Sequence, residues 1–392
     1  MSKSLNLMEF TWGGKTTGQL SQGCIQCIQG RKSVLFITGQ CNLSCYYCPV
    51  SDQRMHHSHM YINETFIPET MNLDNSIKLI IKELDLCGSR GISITGGDPL
   101  LAPEKIYIIG KALKDHYGPK FHIHLYTPGR EGSAELFESI SQVIDEIRFH
   151  PVTNKDINKM ILALDYTWDV GLELPATINL SESKFFQNLL ETYVTENKKR
   201  NRTSLFLNLN ELEITEANFS RMGKYVKENN VMDPIVYGSR EEAFKVLRLY
   251  GSKYPGFNIF FCPQREKDNV QIPKRYYNRA SNILLPTDIL VQGEDKGLLM
   301  RGVIRIIPNG KLHNKDIDYL LELEDLKQNL IETFEIPSNG ISVDFKKGQL
   351  LTEPEFLEEF QEELKELFPN VQIGILEESP TSDRIEFSYI NL

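Results

Sequence analysis

Short apolar, β-branched segments alternate with segments of helical periodicity through the first two thirds of the chain. Six strands are predicted, at Ser33–Gly39, Gly91–Gly96, Phe121–Thr127, Asp145–Pro151, Val170–Thr177 and Ser204–Leu212. Helices are predicted between and after them, at Asn72–Leu86, Pro103–His116, Ala134–Val143, Asp156–Leu164, Lys184–Asn197 and Glu216–Asn229. Repeated strand–helix alternation is typical of parallel strands joined by right-handed crossovers, so the pattern predicts an α/β fold.

Six strand–helix units are fewer than a closed eight-fold barrel needs. We therefore expect a partial (β/α)6 barrel over residues 33–265, with its active site at the carboxyl ends of the strands. After about residue 265 the pattern changes to strands at Val303–Ile307, Gly340–Phe345, Val371–Leu376 and Arg384–Ile390, with helices near Ile317–Ile331 and Glu353–Phe368. This predicts a small α+β domain at 266–392, and leaves 1–32 as an N-terminal segment.

Charge and hydropathy exclude several classes of protein. The 392 residues include 53 acidic and 43 basic ones, a formal charge of −10, which disfavours a general nucleic-acid binder. One basic run, Lys198–Arg202, is interpreted as a solvated helix end rather than an RNA contact. No apolar run of about 18 residues is present, and the N-terminal residues lack the apolar core of a signal peptide. We therefore expect a cytoplasmic protein that does not bind membranes.

Three cysteines follow the first predicted strand directly, with the spacing C-x3-C-x2-C. They are Cys41, Cys45 and Cys48, in the stretch LFITGQCNLSCYYCP. Three thiolates can each hold one iron of a cubane cluster, which leaves the fourth iron free to bind a substrate or cosubstrate. A structural zinc site or electron-transfer cluster normally has four protein ligands. The spacing therefore favours a catalytic [4Fe-4S] cluster.

This arrangement resembles the radical S-adenosyl-L-methionine (SAM) superfamily. Tyr47 stands at the aromatic position before the last cysteine, as in that family's motif. The turn Gly96-Gly97-Asp98-Pro99 ends the second predicted strand, where the family has Gly-Gly-Glu-Pro and binds the amino group of SAM. Two glycines allow close backbone approach to a ligand. In this chain the shorter Asp98 replaces the commoner glutamate.

The resemblance implies further cofactor contacts at the later strands. His122, His124, Tyr126 and Thr127 alternate on the third strand, where the resemblance implies ribose or substrate contacts for the pair that faces the barrel interior. A core-packing or surface role for any one of them is an equal alternative. The segment Gly171–Pro175 on the fifth strand resembles a glycine-containing adenine contact. Asn208, Asn210 and Glu211 lie at the end of the sixth strand, where they are candidates for SAM or substrate binding or, equally, for a turn.

Two more cysteines, Cys24 and Cys27, form a C-x2-C knuckle just before the predicted barrel. Two ligands do not complete a metal site, but Cys262, at the end of a predicted strand Asn258–Cys262, could supply a third. The sequence thus allows an auxiliary iron–sulfur cluster or zinc site. The alternative is a structural metal or none, with Cys262 buried.

The resemblance implies a radical SAM enzyme that cleaves SAM reductively and abstracts hydrogen from its substrate through a 5′-deoxyadenosyl radical. It also implies a reduced ferredoxin or flavodoxin as electron donor. Activating enzymes of the pyruvate formate-lyase type have a similar cysteine loop, and modification of a peptide, an RNA or a small molecule is equally open. The alternative from a different class is a non-catalytic iron–sulfur or zinc protein with a structural or electron-transfer role. The histidines His56, His57 and His59 are interpreted as part of a polar loop rather than as metal ligands.

Overall fold

The computed structural model of the protein describes residues 7–226, 234–307 and 317–392. The chain divides into two compact units, Met1–Ile272 and Pro273–Leu392. The predicted domain limits, 1–32, 33–265 and 266–392, stay predictions.

The first unit is built on one mixed sheet. Its strands are β1 (Met8–Glu9), β2 (Lys15–Thr16), β3 (Lys32–Thr38), β4 (Met60–Ile62), β5 (Thr65–Ile67), β6 (Gly91–Gly96), β7 (His122–Thr127), β8 (Glu146–Phe149), β9 (Asp169–Pro175), β10 (Phe206–Asn210) and β11 (Asn258–Cys262). The spatial order is β1-β2-β11-β10-β9-β8-β7-β6-β3-β4-β5. In the run β3-β6-β7-β8-β9-β10-β11 every neighbouring pair of strands is parallel, which confirms the parallel α/β prediction.

The six predicted strands are confirmed, but the count of six parallel strands is wrong. β11 pairs with β10 in parallel as a seventh, with Asn210 opposite Cys262. Its outer edge is then covered by β2 in antiparallel pairing, so the sheet path through the described residues has two ends. The sequence missed the seventh unit because the helix that precedes β11 was not recognised.

Helices lie between most of the parallel strands. In the first unit they are α1 (Gln22–Ile28), α2 (Leu73–Leu86), α3 (Pro103–Tyr117), α4 (Ala134–Ile140), α5 (Asn154–Ala163), α6 (Lys184–Lys199), α7 (Gly223–Val226), α8 (Ser239–Lys253) and α9 (Gln264–Glu266). Short turns of 3₁₀ helix occur at Pro99–Leu101 and Leu180–Glu182, and a π-helical turn at Lys267–Gln271.

Helix starts follow the capping residues of the sequence. Asn72 and Ser183 accept hydrogen bonds from the first turns of α2 and α6, and Thr153 and Asp156 form a capping box at α5. The predicted helix Glu216–Asn229 is wrong over its first part, because only Gly223–Val226 is helical and residues 227–229 lie outside the described residues. The crossover helix to β11 is α8, which the sequence analysis missed.

The core of the first unit lies between the sheet and these helices. Alternate residues of the parallel strands, such as Ile92, Ile94, Leu207 and Leu209, are fully buried there. Since the strands are parallel, their carboxyl ends all reach one edge of the sheet. The loops after β3, β6, β7, β8, β9 and β10 therefore meet at that edge.

The second unit has an antiparallel sheet with helices. Its strands are β12 (Ile289–Leu290), β13 (Leu299–Ile306), β14 (Ile341–Asp344), β15 (Gln349–Thr352), β16 (Val371–Glu378) and β17 (Glu386–Asn391), in the order β14-β15-β13-β16-β17 with β12 beside β13. Its helices are α10 (Ile272–Ile283), α11 (Ile317–Phe334), α12 (Pro354–Glu359) and α13 (Gln361–Leu367), and Gly293–Asp295 is a 3₁₀ turn. The helix predicted at Glu353–Phe368 is divided at Phe360, and β15 was not predicted.

The basic run Lys198–Arg202 ends α6 and is tied to the protein. Arg200 pairs with Asp165 and Glu196, and Arg202 donates to backbone carbonyls between Leu164 and Trp168. These contacts give the run a structural role. None of the described helices is both long enough and apolar enough to cross a bilayer.

Candidate active site

The three cysteines of the first motif lie on the loop that leaves β3. Gly39 holds the start of this loop, since its N–H donates to the His57 carbonyl across 2.7 Å and its carbonyl accepts from His56 N across 2.9 Å. Cys41, Cys45 and Cys48 are partly exposed, and all three line a cavity of about 440 Å³ at the carboxyl edge of the sheet. The structure therefore brings the three thiols to one wall of one cavity.

The glycine turn at the end of β6 lies against the same loop. A Cβ on Gly97 would come within 2.3 Å of the Gln40 carbonyl oxygen, and one on Gly96 within 2.2 Å of the Thr38 carbonyl oxygen. The backbone N–H of Gly97 donates to Thr38 across 2.8 Å. Both glycines line the cavity, and because neither carries a side chain, their backbone can pack directly against the cysteine loop.

Asp98 is buried next to the cavity and is not among the residues that line it. Its carboxylate accepts from the backbone N–H of Leu100 across 3.1 Å and from the Thr127 hydroxyl across 2.8 Å, and only 2% of the residue is exposed. Burial raises the pKa of this carboxyl to about 6. Asp98 thus connects the turn after β6 to the end of β7, and its side chain is not among those that line the cavity.

A directed chain of hydrogen bonds connects the cysteine loop with β8 and β9. His150 Nδ1 lies 3.0 Å from the Glu173 carbonyl oxygen, and because a carbonyl only accepts, Nδ1 carries the proton. The Tyr47 hydroxyl lies 2.5 Å from Nε2 of the same ring. Burial lowers the pKa of His150 and raises that of Tyr47, so a neutral imidazole accepts from an intact phenol.

Beneath the cavity, Arg148 is buried between two carboxylates. Its guanidinium donates to Glu146 and, across 2.9 Å, to Glu173. The Glu173 carboxylate also accepts from Asn208 across 2.9 Å and from Asn210 across 2.6 Å. Side chains from β8, β9 and β10 therefore form one network, and Arg148, Glu173 and Asn210 extend from it to the cavity wall.

Comparison with known proteins identifies the family. The model of the Radical SAM superfamily matches residues 35–169. A protein of Methanocaldococcus jannaschii, "Putative glycyl-radical enzyme activating enzyme MJ0021", is 34% identical over 391 residues, which cover 95% of this chain and 93% of that protein. The chain belongs to the radical SAM superfamily. It is therefore an enzyme of that superfamily, as its cysteine motif indicated.

A solved structure of a histidine-tagged protein, "anSMEcpe with bound AdoMet", is more distantly similar to this radical SAM chain. The two are 12% identical, the match covers 56% of this chain and 65% of the other, and the TM-score is 0.32.

The residues of the cavity fit the cofactors of a radical SAM enzyme. Three thiols, each partly shielded, supply the soft donors that iron prefers, and Gly96 and Gly97 place backbone groups at the cavity wall. Burial raises the pKa of Cys41 and Cys45, so iron must displace protons when it binds. Across residues 7–226, 234–307 and 317–392, no three His, Cys, Asp or Glu side chains are already arranged as a metal-binding group.

The remaining predicted cofactor residues of this radical SAM site differ in position. Tyr47, Tyr126 and Glu211 line the cavity, whereas Asn208 lies beneath it and orients Glu173. The Tyr126 hydroxyl accepts from Arg148 across 3.3 Å. Glu211 is 3% exposed, and its carboxylate accepts from Arg240 across 3.0 Å and from the backbone N–H of Gln264 across 3.0 Å. Their roles in cofactor binding stay predictions.

His122 and His124 lie on the same face of β7 as Tyr126 but deeper. His122 Nδ1 lies 2.7 Å from the Lys32 ammonium, and burial lowers the pKa of Lys32 to about 7. Neither ring nitrogen of His124 has a hydrogen-bond partner among the described residues. His57 and His59 instead stack at 5.1 Å beside Tyr61 and Phe66, as part of an aromatic cluster on the β4–β5 hairpin.

Cys24 and Cys27, the predicted C-x2-C knuckle, lie one turn apart on helix α1. Ser21 caps this helix by accepting from the Cys24 N–H. Cys24 and Cys262 are buried in one small cluster with Phe260, and Arg148 lies 3.6 Å from the Cys24 sulfur. Burial raises the pKa of Cys27 and of Cys262 to about 12, so both are thiols at neutral pH. The auxiliary metal site stays a prediction.

Sequence analysis did not single out several residues that line the cavity: Arg148, His150, Glu213, Arg221 and Lys267. The sequence does contain a signal for Arg148 and His150, because they alternate with Glu146 along a short strand segment. Three polar residues on one face of an otherwise buried parallel strand indicate a polar interior. Arg221 and Lys267 lie far along the chain from the cysteines, and no local pattern connects them.

Proposed function

We propose that this radical SAM enzyme holds a [4Fe-4S] cluster on Cys41, Cys45 and Cys48 and binds SAM in the adjacent cavity. The observation that carries the proposal is that these three cysteines and the Gly96–Gly97 turn line the same cavity. We propose that the parallel sheet forms the partial barrel of this superfamily. The chemistry that bound cofactors would supply is one-electron reduction of SAM, giving methionine and a 5′-deoxyadenosyl radical that abstracts a hydrogen atom from the substrate.

The protein's own residues would bind SAM, orient it and exclude water from it. Backbone groups at Gly96 and Gly97 would receive the methionine end of SAM, since both residues line the cavity beside the three cysteines. Tyr126, Glu173 and Asn210 would meet the nucleoside end, because the network around Arg148 holds their polar atoms at the cavity wall. Apolar and backbone walls at Leu174 and Pro175 help to exclude water from the reacting atoms.

For the substrate, we propose a glycyl-radical enzyme. The support is the name of the Methanocaldococcus jannaschii relative, with 34% identity over nearly the whole of both chains. A reduced ferredoxin or flavodoxin would supply the electron, and a cytoplasmic location would suit such a donor. Modification of a peptide, an RNA or a small molecule stays open as a second possibility.

The test is anaerobic reconstitution with iron and sulfide, followed by dithionite and SAM. We expect wild type to release 5′-deoxyadenosine and the Cys41→Ala variant to release none, because two thiolates do not retain the cluster. Negligible 5′-deoxyadenosine from wild type with an intact, reduced cluster would show a non-catalytic iron–sulfur protein instead. A glycyl-radical enzyme added to the reaction should then acquire an organic radical signal in electron paramagnetic resonance (EPR) spectra.

A further inference from the structure

Residues 213–225, which follow β10, lie along the cysteine loop. Four consecutive residues of that loop contact this segment. Arg221 donates to the Cys45 carbonyl across 3.3 Å and to the Cys48 carbonyl across 3.1 Å. Asn218 donates to the Tyr47 carbonyl across 3.1 Å, and the Tyr46 ring stacks on Tyr225 with centroids 6.3 Å apart. We call residues 213–225 the loop clamp.

The loop clamp is itself anchored to the protein. Asn218 is fully buried, and its side chain accepts from Thr215 N across 2.8 Å while also donating to the Glu213 carbonyl across 3.1 Å. Met222 and Tyr225 are buried in an apolar cluster, against which Tyr47 packs. The segment therefore has a fixed conformation of its own that it can impose on the loop.

Within the loop clamp, Arg221 places a positive charge directly against the cysteine loop. Arg221 is exposed to solvent and also lines the cavity. The guanidinium also donates to the Ala217 carbonyl across 2.8 Å, which fixes its direction. A planar fork of donors can hold two carbonyls at once, which a lysine ammonium on a flexible stem does less well.

Positive charge close to an iron–sulfur cluster favours the reduced state, because reduction adds a negative charge. We propose that Arg221 is a positioning residue that fixes the cluster-binding loop and raises the reduction potential of the cluster. The inference rests on the proposed function, since it assumes that Cys41, Cys45 and Cys48 hold the cluster. It adds a part of the chain, the loop clamp, that no cysteine motif contains.

The test compares Arg221→Gln, Arg221→Lys and a control, Arg200→Gln, which removes a partly buried arginine, paired with Asp165 and Glu196, from the end of α6. Each protein is reconstituted anaerobically, titrated with dithionite while EPR follows the reduced cluster, and then exposed to an iron chelator. At a fixed solution potential we expect the ratio of reduced to oxidised cluster to fall at least threefold in Arg221→Gln. That is about 28 mV, since tenfold corresponds to 59 mV for one electron.

The lysine variant separates charge from geometry. Arg221→Lys should keep a potential near that of wild type but lose iron to the chelator faster, because it holds the two carbonyls less well. Arg200→Gln should match wild type in both measurements. If Arg221→Gln has the potential and the chelator resistance of wild type, the inference is wrong. If wild type itself binds no cluster, as judged by iron and sulfide content, the proposed function fails instead.

Discussion

The Tyr47 hydroxyl donates to Nε2 of His150 across 2.5 Å and joins the cysteine loop to strand β8. The two residues are 103 positions apart in the chain. His150 in turn donates to the backbone carbonyl of Glu173 on β9, so hydrogen bonds anchor the cysteine loop to two strands of the sheet. Tyr47, the aromatic residue of the cysteine motif, therefore also anchors the loop to the sheet through its hydroxyl.

Replacing Tyr47 with Phe should destabilise the first unit. The imidazole Nε2 would stay buried without a donor, which costs about 1–3 kcal/mol. Urea unfolding followed by the fluorescence of Trp168, which is buried in this unit, would measure the change. Tyr166→Phe is the control, since its hydroxyl donates at an exposed position where water can replace it. Equal losses in the two variants would contradict the prediction.

Gly97→Ala should disturb the glycine turn and the cysteine loop together. The new methyl would meet the Gln40 carbonyl at 2.3 Å, and overpacking of this kind costs about 1–3 kcal/mol. We also expect SAM affinity, measured by calorimetry on the reconstituted protein, to fall at least tenfold. Gly223→Ala is the matched control, because a Cβ there meets nothing within 4 Å. An unchanged affinity in Gly97→Ala would show that the turn does not contact SAM.

Removing Arg148 should be among the most damaging single changes. Arg148→Met leaves the buried Glu146 and the partly buried Glu173 without their shared cation, and breaking a buried pair such as Arg148–Glu146 costs about 3–5 kcal/mol. Chemical denaturation would give the loss. Lys245→Gln breaks the exposed pair with Glu182 and should change stability far less, because water screens that pair. A small loss in Arg148→Met would mean that water replaces the guanidinium in the network.

Asp98 should make stability depend on pH in a defined window. Its pKa is raised from 3.8 to about 6, so the folded protein holds a proton that the unfolded chain has already released. Wild type should therefore lose stability relative to Asp98→Asn as pH rises from about 4 to 6, by on the order of 3 kcal/mol, and show no further difference above that. Urea midpoints of both proteins at pH 4.5, 5.5 and 7.5 check this. A constant difference would contradict it.

A double variant, Cys24→Ala/Cys27→Ala, examines the auxiliary metal site. If the site exists, the variant should lose part of its iron or zinc while the EPR signal of the three-cysteine cluster persists. Elemental analysis for iron, sulfide and zinc would show this. Loss of the three-cysteine signal alone would contradict a separate site. Cys87→Ala is a suitable control, because Cys87 is a buried cysteine outside both groups.

Much of the fold could be predicted because the local spacing of apolar residues determines most of its strands and helices. Strands such as Gly91–Gly96 and helices such as Leu73–Leu86 have apolar residues at the spacing that burial requires, and their limits agree with the sequence to within a residue or two. The prediction failed where that pattern was weak. Residues 216–222 have apolar residues at a nearly helical spacing, yet Asn218 and Arg221 are drawn into contact with the cysteine loop instead.

The residues of the candidate site also fall into two groups, those that local sequence spacing reveals and those that it does not. The cysteines and the glycine turn could be recognised because their spacing is a local property of a few residues. Their partners could not, because Arg148, His150 and Arg221 are brought to the cavity by strands and loops from distant parts of the chain. For the same reason, the C-x2-C spacing of Cys24 and Cys27 did not show that both lie on helix α1, which Ser21 caps.

The sequence by itself determined the α/β alternation, the three thiols at 41, 45 and 48, and the superfamily that they indicate. Only the tertiary structure decided which side chains surround those thiols and that a later segment holds their loop in place. The physical reason is that spacing along the chain sets secondary structure and short motifs. Contacts between residues such as Cys48 and Arg221, 173 positions apart, arise only when parallel strands bring their carboxyl ends to one edge.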